Sequence, residues 1–125
     1  MAIHKSGEDY LEAIYILKNK NGIVKSADVA SFLNYSRASV CNAVNLLQKE
    51  DLLLMDEKKH LELTENGLQI AQKMYDRHCF LSNFLISIGV EKKIAEEESC
   101  QIEHILSEKT YELLKKHVEQ NSKRI

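Results

Sequence analysis

The stretch KSADVASFLNYSRASVCNAVNLLQKEDLL, residues 25–53, decides the fold of this chain. Its apolar side chains recur at helical spacing in a short segment and then in a longer one, with Asn34 and Tyr35 between them as a turn. Ser26 and Ser36 stand at the start of the two segments, where a serine hydroxyl can cap free backbone N–H groups. A short helix, a tight turn and a longer helix predict a helix-turn-helix.

The solvent-facing side at the start of the second helix carries Arg37, Ser39 and Asn42. Their side chains form hydrogen bonds of the kind that contact base edges and phosphates, so we expect these three residues to bind double-stranded DNA. A purely structural helical hairpin has the same apolar pattern, and the segment alone leaves that alternative open.

Two short segments, LLLM (52–55) and HLELT (60–64), follow the second helix and flank a polar turn. They predict a β-hairpin, and a hairpin directly after a helix-turn-helix is a wing. Lys58 and Lys59 lie at its predicted tip, where their charges can contact DNA phosphates. Two acidic neighbours in the same turn weaken that electrostatic argument.

Helical patterns surround the winged segment on both sides. The predicted helices cover residues 6–20, residues 64 to about 89, residues 91–106 and a last segment from 107. The predicted fold class is therefore mainly α with a small β-hairpin. A winged helix-turn-helix occupies residues 1–72, and a helical dimerisation module follows in residues 73–125.

The composition of the 125-residue chain excludes several classes of protein. The formal net charge of −2 supplies no overall positive field, so any DNA-binding surface must be local. No apolar run is long enough to cross a bilayer and no signal peptide opens the chain, which predicts a cytoplasmic protein with no membrane partner. Three cysteines without a Cys-x-x-Cys pair predict reduced thiols.

A triplet near the C-terminus has the chemistry of a metal site. Cys100, Glu103 and His104 are spaced i, i+3 and i+4, so on a helix they project from one face. Thiolate, carboxylate and imidazole are a common ligand set for a divalent transition metal. Since one helix seldom completes such a site, other segments should contribute, and the candidates are Asp9, Glu12 and His78.

Each part of this set has a structural alternative. Glu103 and His104 can be solvated while Cys100 fills a small space in the core. Asp9 and Glu12 can instead complement the dipole of a first helical turn. The sequence by itself leaves both alternatives open.

Four motifs together resemble the diphtheria-toxin-repressor family of metal-dependent transcriptional regulators: EDYLEAIY (8–15), HLELTENG (60–67), DRHCFL (76–81) and CQIEHILS (100–107). The resemblance covers nearly the whole chain and is strongest to the short manganese-transport-regulator branch, which lacks a C-terminal SH3-like domain. It implies an N-terminal module that binds DNA, helices that dimerise, and a divalent metal between them that activates DNA binding.

Carried over by position, the resemblance implies a primary metal site formed by Asp9, Cys100, Glu103 and His104, and a neighbouring second site that includes Glu12 and His78. Cys100 departs from the manganese branch, which usually has a carboxylate there, whereas Asp9 departs from the iron branch, which usually has methionine. Ser82 replaces a carboxylate that the iron branch uses in its ancillary site. The ligand set is a hybrid of the two branches.

The predicted function is a homodimeric, metal-dependent transcriptional regulator, a repressor of metal-uptake or homeostasis genes that binds a palindromic operator. Mn(II) and Fe(II) are the expected cofactors, with Co(II) or Zn(II) able to bind in vitro, because the thiolate favours softer ions and the carboxylates suit manganese. The alternative is a winged-helix regulator that responds to a non-metal effector or a partner. The sequence has no nucleophile motif and no HExxH, so we expect no enzyme.

Overall fold

The structure is a computed structural model that describes residues 5–122. The chain forms two compact units, which divide between Lys73 and Met74. The described range contains α1 (Lys5–Asn21), α2 (Ser26–Leu33), α3 (Arg37–Lys49), β1 (Leu53–Met55), β2 (Leu61–Leu63), α4 (Glu65–Ser87), α5 (Lys92–Ile102) and α6 (Glu108–Ser122). This confirms the predicted fold class, mainly α with a small β-hairpin. Over the same range, no helix combines the length and apolarity needed to span a bilayer.

Local capping sets the helix-turn-helix of the first unit. Ser36 caps α3 as predicted, because its hydroxyl accepts a hydrogen bond at 3.1 Å from the backbone N–H three residues on. Asn34 takes the left-handed conformation, with φ of 59°, where α2 ends. Ser26 does not cap α2, so that prediction is wrong by one residue. The cap residue is Lys25, whose backbone N–H donates to the Asp28 carboxylate at 2.9 Å.

The wing is an antiparallel pair of strands, with Leu53 of β1 opposite Leu63 of β2. The Asp56 carboxylate closes the turn between them, because its Oδ1 accepts hydrogen bonds from the backbone N–H groups of Lys58 and His60, both at 2.8 Å. The two strands and their polar turn confirm the predicted hairpin.

A single hydrophobic core fills the first unit, with contributions from the first three helices, the hairpin and the start of α4. Leu11, Ile14 and Leu61 are among its fully buried side chains. Leu46, which the apolar pattern of the second helix predicts on the buried side, is 55% exposed. Successive helical residues are about 100° apart, so a residue at the edge of an apolar stripe is easily assigned to the wrong side.

The start of α4 lies close to the backbone that precedes β1. A Cβ atom at position 67 would overlap the carbonyl oxygen of Leu52, so only glycine allows this approach without a backbone shift. Thr64 caps α4 as predicted, because its hydroxyl accepts from the Gly67 N–H at 3.1 Å. In the second unit, Ser107 caps α6 in the same way.

Helix α5 of the second unit is shorter than predicted, because it ends at Ile102 instead of residue 106. Glu103 is its C-cap and keeps helical dihedral angles, with φ of −58° and ψ of −26°. The chain then turns, and the N–H of Ile105 donates to the carbonyl of Ile102 at 3.1 Å. Glu103 therefore stays in helical register with Cys100, whereas His104 projects from a turn and not from the helix.

Candidate metal centre and nucleic-acid interface

The carboxylate of Glu103 is fully buried in the structure, with a relative exposure of 0%. Its Oε2 lies 3.0 Å from Nδ1 of His78, and its Oε1 lies 3.4 Å from Nε2 of His104. Oε1 has no hydrogen-bond partner among the residues that the structure describes. Burying an ionised carboxylate is costly unless positive charge lies beside it, and a divalent cation at this position would supply that charge.

Cys100 adds a sulfur donor to the same cluster. Its side chain is half-buried, and its Sγ lies within 4.8 Å of a carboxylate oxygen of Glu103, one helical turn further along. The structural alternative needed solvated side chains at Glu103 and His104. That alternative is wrong, because the side chains of these two residues are only 0% and 2% exposed.

The donor set of this cluster fits a divalent transition metal. Sulfur, carboxylate oxygen and imidazole nitrogen are the usual protein ligands of zinc and iron, and the oxygen and nitrogen donors suit manganese as well. Oε1 of Glu103, which has no hydrogen-bond partner among the described residues, is an oxygen atom that can coordinate an ion there. Within the second unit, the structure thus brings together His78, Cys100, Glu103 and His104, four of the six predicted metal ligands.

Asp9 and Glu12 belong to the first unit, where α1 carries them i and i+3 apart on one face. Because α1 begins at Lys5, both carboxylates lie beyond the first helical turn, whose acidic residue is Glu8. Both are also buried, at 8% and 7% exposure. The alternative in which they complement the dipole of a first helical turn does not fit this position, since the dipole effect falls off within the first turn.

The predicted DNA contacts are all exposed side chains of the first unit. Arg37, Ser39 and Asn42 lie in the first half of α3, and Lys58 and Lys59 lie in the wing turn. The Ser39 hydroxyl already accepts a hydrogen bond from the Ser36 hydroxyl at 2.9 Å, so it partly serves the helix cap. Exposure and a position at the start of the second helix suit groove contacts.

The wing turn also carries a fixed negative charge. The backbone N–H of His60 is the main reason why the pKa of the Asp56 carboxyl lies below its ordinary value, and the His60 side chain and the Lys58 N–H act in the same direction. The Asp56 carboxylate therefore remains ionised at neutral pH and offsets part of the positive charge of the neighbouring lysines.

A cavity of about 300 Å³ opens between the start of α2, the middle of α3 and the wing. Lys25 and Asn45 line it together with Lys59. Lys25 and Asn45 are not among the residues that the sequence pattern pointed to. A cation directly before a predicted helix start was an available signal for Lys25, whereas Asn45 lies one turn beyond the three α3 residues that the pattern highlighted.

Two family profiles match this chain almost end to end. The profile described as "Iron dependent repressor, N-terminal DNA binding domain" matches residues 3–61. The profile described as "Iron dependent repressor, metal binding and dimerisation domain" matches residues 64–124.

Similar proteins support the same assignment. An HTH-type transcriptional regulator of Methanocaldococcus jannaschii is 35% identical over 113 residues, which cover 89% of this chain and 90% of that protein. The regulator MntR of Geobacillus thermodenitrificans is 37% identical over 102 residues, or 82% of this chain and 72% of MntR. The solved structure of the manganese regulator SloR superposes with a TM-score of 0.81 at 29% identity, covering 95% of this chain and 55% of SloR.

The chain therefore spans about half the length of SloR, while it matches most of the length of the first two relatives. The two profiles divide it into a part that contains the helix-turn-helix and a part that contains the Glu103 cluster. On this basis, the chain belongs to the iron-dependent repressor family of metal-dependent transcriptional regulators, which the diphtheria-toxin-repressor resemblance predicted.

Proposed function

We propose that this chain is a cytoplasmic repressor of metal-uptake genes, which binds a palindromic operator as a homodimer when Mn(II) or Fe(II) is bound. The observation that carries the proposal is the buried Glu103 carboxylate between the imidazoles of His78 and His104, 3.0 and 3.4 Å away. A buried carboxylate surrounded by further potential ligand groups supports metal binding, because a bound cation would stabilise its charge.

The proposed ligands are the six residues of the sequence analysis: Asp9, Glu12, His78, Cys100, Glu103 and His104. Four of them form the cluster of the second unit, and the other two are the buried acids of α1. In this proposal, residues 1–72 act as the DNA-binding domain, and residues 73–125 act as the metal-binding and dimerisation domain. A bound divalent ion supplies the positive charge that these carboxylates share.

The proposed regulation is a shift between populations of domain arrangements. In this proposal, ligands on α1 share one ion with ligands on α4 and α5. The shared ion restricts the freedom of the DNA-binding domain relative to the dimerisation domain. The arrangement in which both recognition helices fit the operator then becomes more populated, because it binds the ion more tightly than the others do. Neutralising Asp9 and Glu12 also lowers the repulsion between the protein and DNA phosphates.

The apolar surface of the second unit supports dimerisation. Ile88, Ile105 and Leu113 are 64%, 78% and 57% exposed, and Ile94 is 44% exposed. Large apolar side chains at this level of exposure in one small unit are typical of a surface that another subunit covers. A homodimer with two recognition helices reads two half-sites, so the operator is proposed to be palindromic.

The test of metal dependence is a DNA-binding titration with Mn(II), Fe(II), Co(II) and Zn(II) under anaerobic, reducing conditions. Glu103→Gln removes the charge and keeps the shape, so we expect it to abolish metal-stimulated binding. Glu97→Gln is the matched control, because Glu97 is an exposed acid of the same helix. If Glu103→Gln and the parent chain bound the operator equally at every metal concentration, the alternative of a non-metal effector would replace this proposal.

Variants of Cys100 test which branch of the family this chain resembles in its metal preference. Thiolate coordination gives Co(II) a near-ultraviolet charge-transfer band, and we expect Cys100→Ser to remove it while Cys41→Ser, at an exposed position of α3, leaves it unchanged. Cys100→Glu recreates the carboxylate of the manganese branch and should shift the DNA-binding response toward Mn(II). A Co(II) spectrum of the parent without that band would remove Cys100 from the ligand set.

The DNA interface is tested by two kinds of variant. Lys58→Ala and Lys59→Ala should weaken binding to all sequences alike and reduce the salt dependence, since lysines at the wing tip contact phosphates. Asn42→Ala should instead relax the sequence preference. Equal binding by the parent and both kinds of variant, at matched salt, would show that the interface lies elsewhere.

A further inference from the structure

Arg77 buries a guanidinium group inside the second unit. The residue is 3% exposed, and its Nη1 donates hydrogen bonds to the carbonyl oxygens of Glu103, at 3.1 Å, and Leu106, at 2.7 Å. The guanidinium also lies over the ring of Tyr111, 5.0 Å from its centroid. Arg77 therefore connects α4 to the turn after α5 and to the first part of α6.

The two acceptors lie at the place where α5 stops. The helix ends at Ile102, and the carbonyl groups beyond a helix end have no partner inside the helix. Nη1 of Arg77 donates to the carbonyl oxygens of both Glu103 and Leu106. It therefore connects the first and the last residue of the turn 103–106. A cationic donor is well suited to this place, since a helix C-terminus carries partial negative charge.

The next residue of α4 contacts the same glutamate by its side chain. His78 lies 3.0 Å from the Glu103 carboxylate, while Arg77 binds the Glu103 carbonyl. Adjacent residues of α4 thus fix the backbone and the side chain of one residue. His104 follows directly within the fixed turn, and its imidazole lies 3.4 Å from the Glu103 carboxylate.

We infer that Arg77 is a positioning residue for the metal site. It holds the turn of residues 103–106 in the geometry that presents the Glu103 carboxylate and the His104 imidazole to one ion. This inference rests on the proposed role of Glu103 and His104 as metal ligands. Groups that orient metal ligands without touching the ion commonly change metal affinity by about 10- to 100-fold when they are removed.

A charge effect and a positioning effect of Arg77 predict opposite changes in metal affinity for the same variant. If Arg77 acted only through its charge, replacing it with a neutral residue would remove a repulsion and strengthen cation binding. If Arg77 holds the turn, the same replacement weakens cation binding because Glu103 and His104 lose their common geometry. The sign of the change in affinity therefore separates the two roles.

The experiment measures Co(II) and Mn(II) affinity, the Co(II) absorption spectrum and the free energy of unfolding of the metal-free chain. Arg77→Met keeps an unbranched apolar side chain and removes all donors, so we expect affinity to fall about 10- to 100-fold and the Co(II) bands to change. Arg77→Lys keeps the charge and a donor, and its affinity should lie between those of the parent and Arg77→Met. Lys73→Met, at an exposed position of α4, is the charge control and should bind like the parent.

Hydrogen exchange provides the readout if Arg77→Met does not fold. In metal-free Arg77→Lys, the amides of residues 103–107 should exchange faster than in the parent, because the turn has lost one of the two hydrogen bonds that Arg77 donates to it. Equal exchange there would overturn the inference.

Two further results distinguish the inference from the function on which it rests. Parent-like metal affinity and Co(II) spectrum in both Arg77 variants, together with loss of binding in Glu103→Gln, would overturn the positioning role and leave the proposed function intact. Parent-like metal binding in Glu103→Gln would instead show that the ligand set is wrong, and the positioning role of Arg77 would then be wrong as well. Lower stability of the Arg77 variants at unchanged metal affinity would assign the residue a purely structural role.

Discussion

The two units of this chain bury different kinds of residue. The first unit has one continuous apolar cluster that includes Leu11, Val29, Val40 and Leu61, and the buried polar residues that the structure describes there are Asp9 and Glu12. The buried apolar residues that the structure describes in the second unit are Met74, Leu81, Ala95 and Tyr111. Beside them lie four buried polar or charged residues, Arg77, Ser82, Ser99 and Glu103.

This difference in buried residues indicates which interactions stabilise each unit. Burial of apolar surface dominates the folding free energy, so the first unit can be stable by virtue of its own core. Among the described residues, the second unit buries fewer apolar side chains, exposes large ones such as Ile88 and Ile105, and encloses charged side chains that need compensation. Its stability should therefore depend on the ion and on a second subunit.

The largest expected effect tests the core of the first unit. Leu53→Ala removes a side chain that is 1% exposed, so it should lower the free energy of unfolding by about 2–5 kcal/mol, with or without metal. Leu54→Ala is the matched control on the same strand, and because Leu54 is 55% exposed its cost should stay below about 0.5 kcal/mol. Urea denaturation measures both, and equal costs would contradict the described strand orientation.

The second prediction concerns the dependence of the second unit on metal. At a free Mn(II) concentration about 100 times the Kd, a bound ion stabilises the site by about 2.7 kcal/mol. Hydrogen exchange should report this as added protection in α5, while the amides of the wing hairpin gain little. A uniform gain over both regions would mean that metal stabilises the chain as one cooperative unit, which would remove the difference between the two units.

The sequence predicted the first unit well because its signals are local. The caps at Ser36 and Thr64 and the short alternating strands depend on residues within a few positions of one another, and the structure confirms them. Leu46 was assigned to the buried side of α3 although it is 55% exposed, because apolar spacing alone does not say which members of a wide stripe reach the core.

The second unit was less predictable because tertiary contacts set its details. No glycine or proline marks the end of α5, and residues 103–106 are compatible with a helix, so the pattern continued to residue 106. The helix stops earlier, and Arg77, which is 26 residues away from Glu103, takes the carbonyls beyond its end. The proposed ligands were identified from their chemistry, their spacing and the family resemblance, whereas their burial was not available from the pattern.

A smaller effect is expected from the buried hydroxyl of Ser99. Its Oγ has no hydrogen-bond partner among the described residues, so in Ser99→Ala the metal-free chain should gain up to about 1 kcal/mol of unfolding free energy. Ala95→Ser, one turn earlier at another position with 0% exposure, should lose a similar amount by burying a new hydroxyl. A loss of stability in Ser99→Ala would show that this hydroxyl has a partner such as an ordered water.

The smallest effect concerns the exposed wing, where a charge is stabilised without burial. The backbone N–H of His60, followed by the other groups around the turn, places the pKa of Asp56 below its ordinary value of 3.8. The folded state therefore favours the ionised carboxylate, and this contribution is fully present above that ordinary pKa. It is lost as the pH falls through the lower pKa of the folded state.

Asp56→Asn removes the charge and keeps one oxygen acceptor for the turn. We expect the variant to melt at a slightly lower temperature than the parent at neutral pH, and the difference should vanish as the pH falls below the ordinary range of an aspartate carboxyl. Glu57→Gln removes a charge from the next residue of the same turn and serves as the control. Because the backbone N–H donors of the wing do not titrate in this range, a pH-dependent difference seen only for Asp56→Asn identifies the carboxylate as its source. Parallel melting curves for both variants at every pH would mean that the hydrogen-bonded turn, and not the charge of Asp56, stabilises the wing.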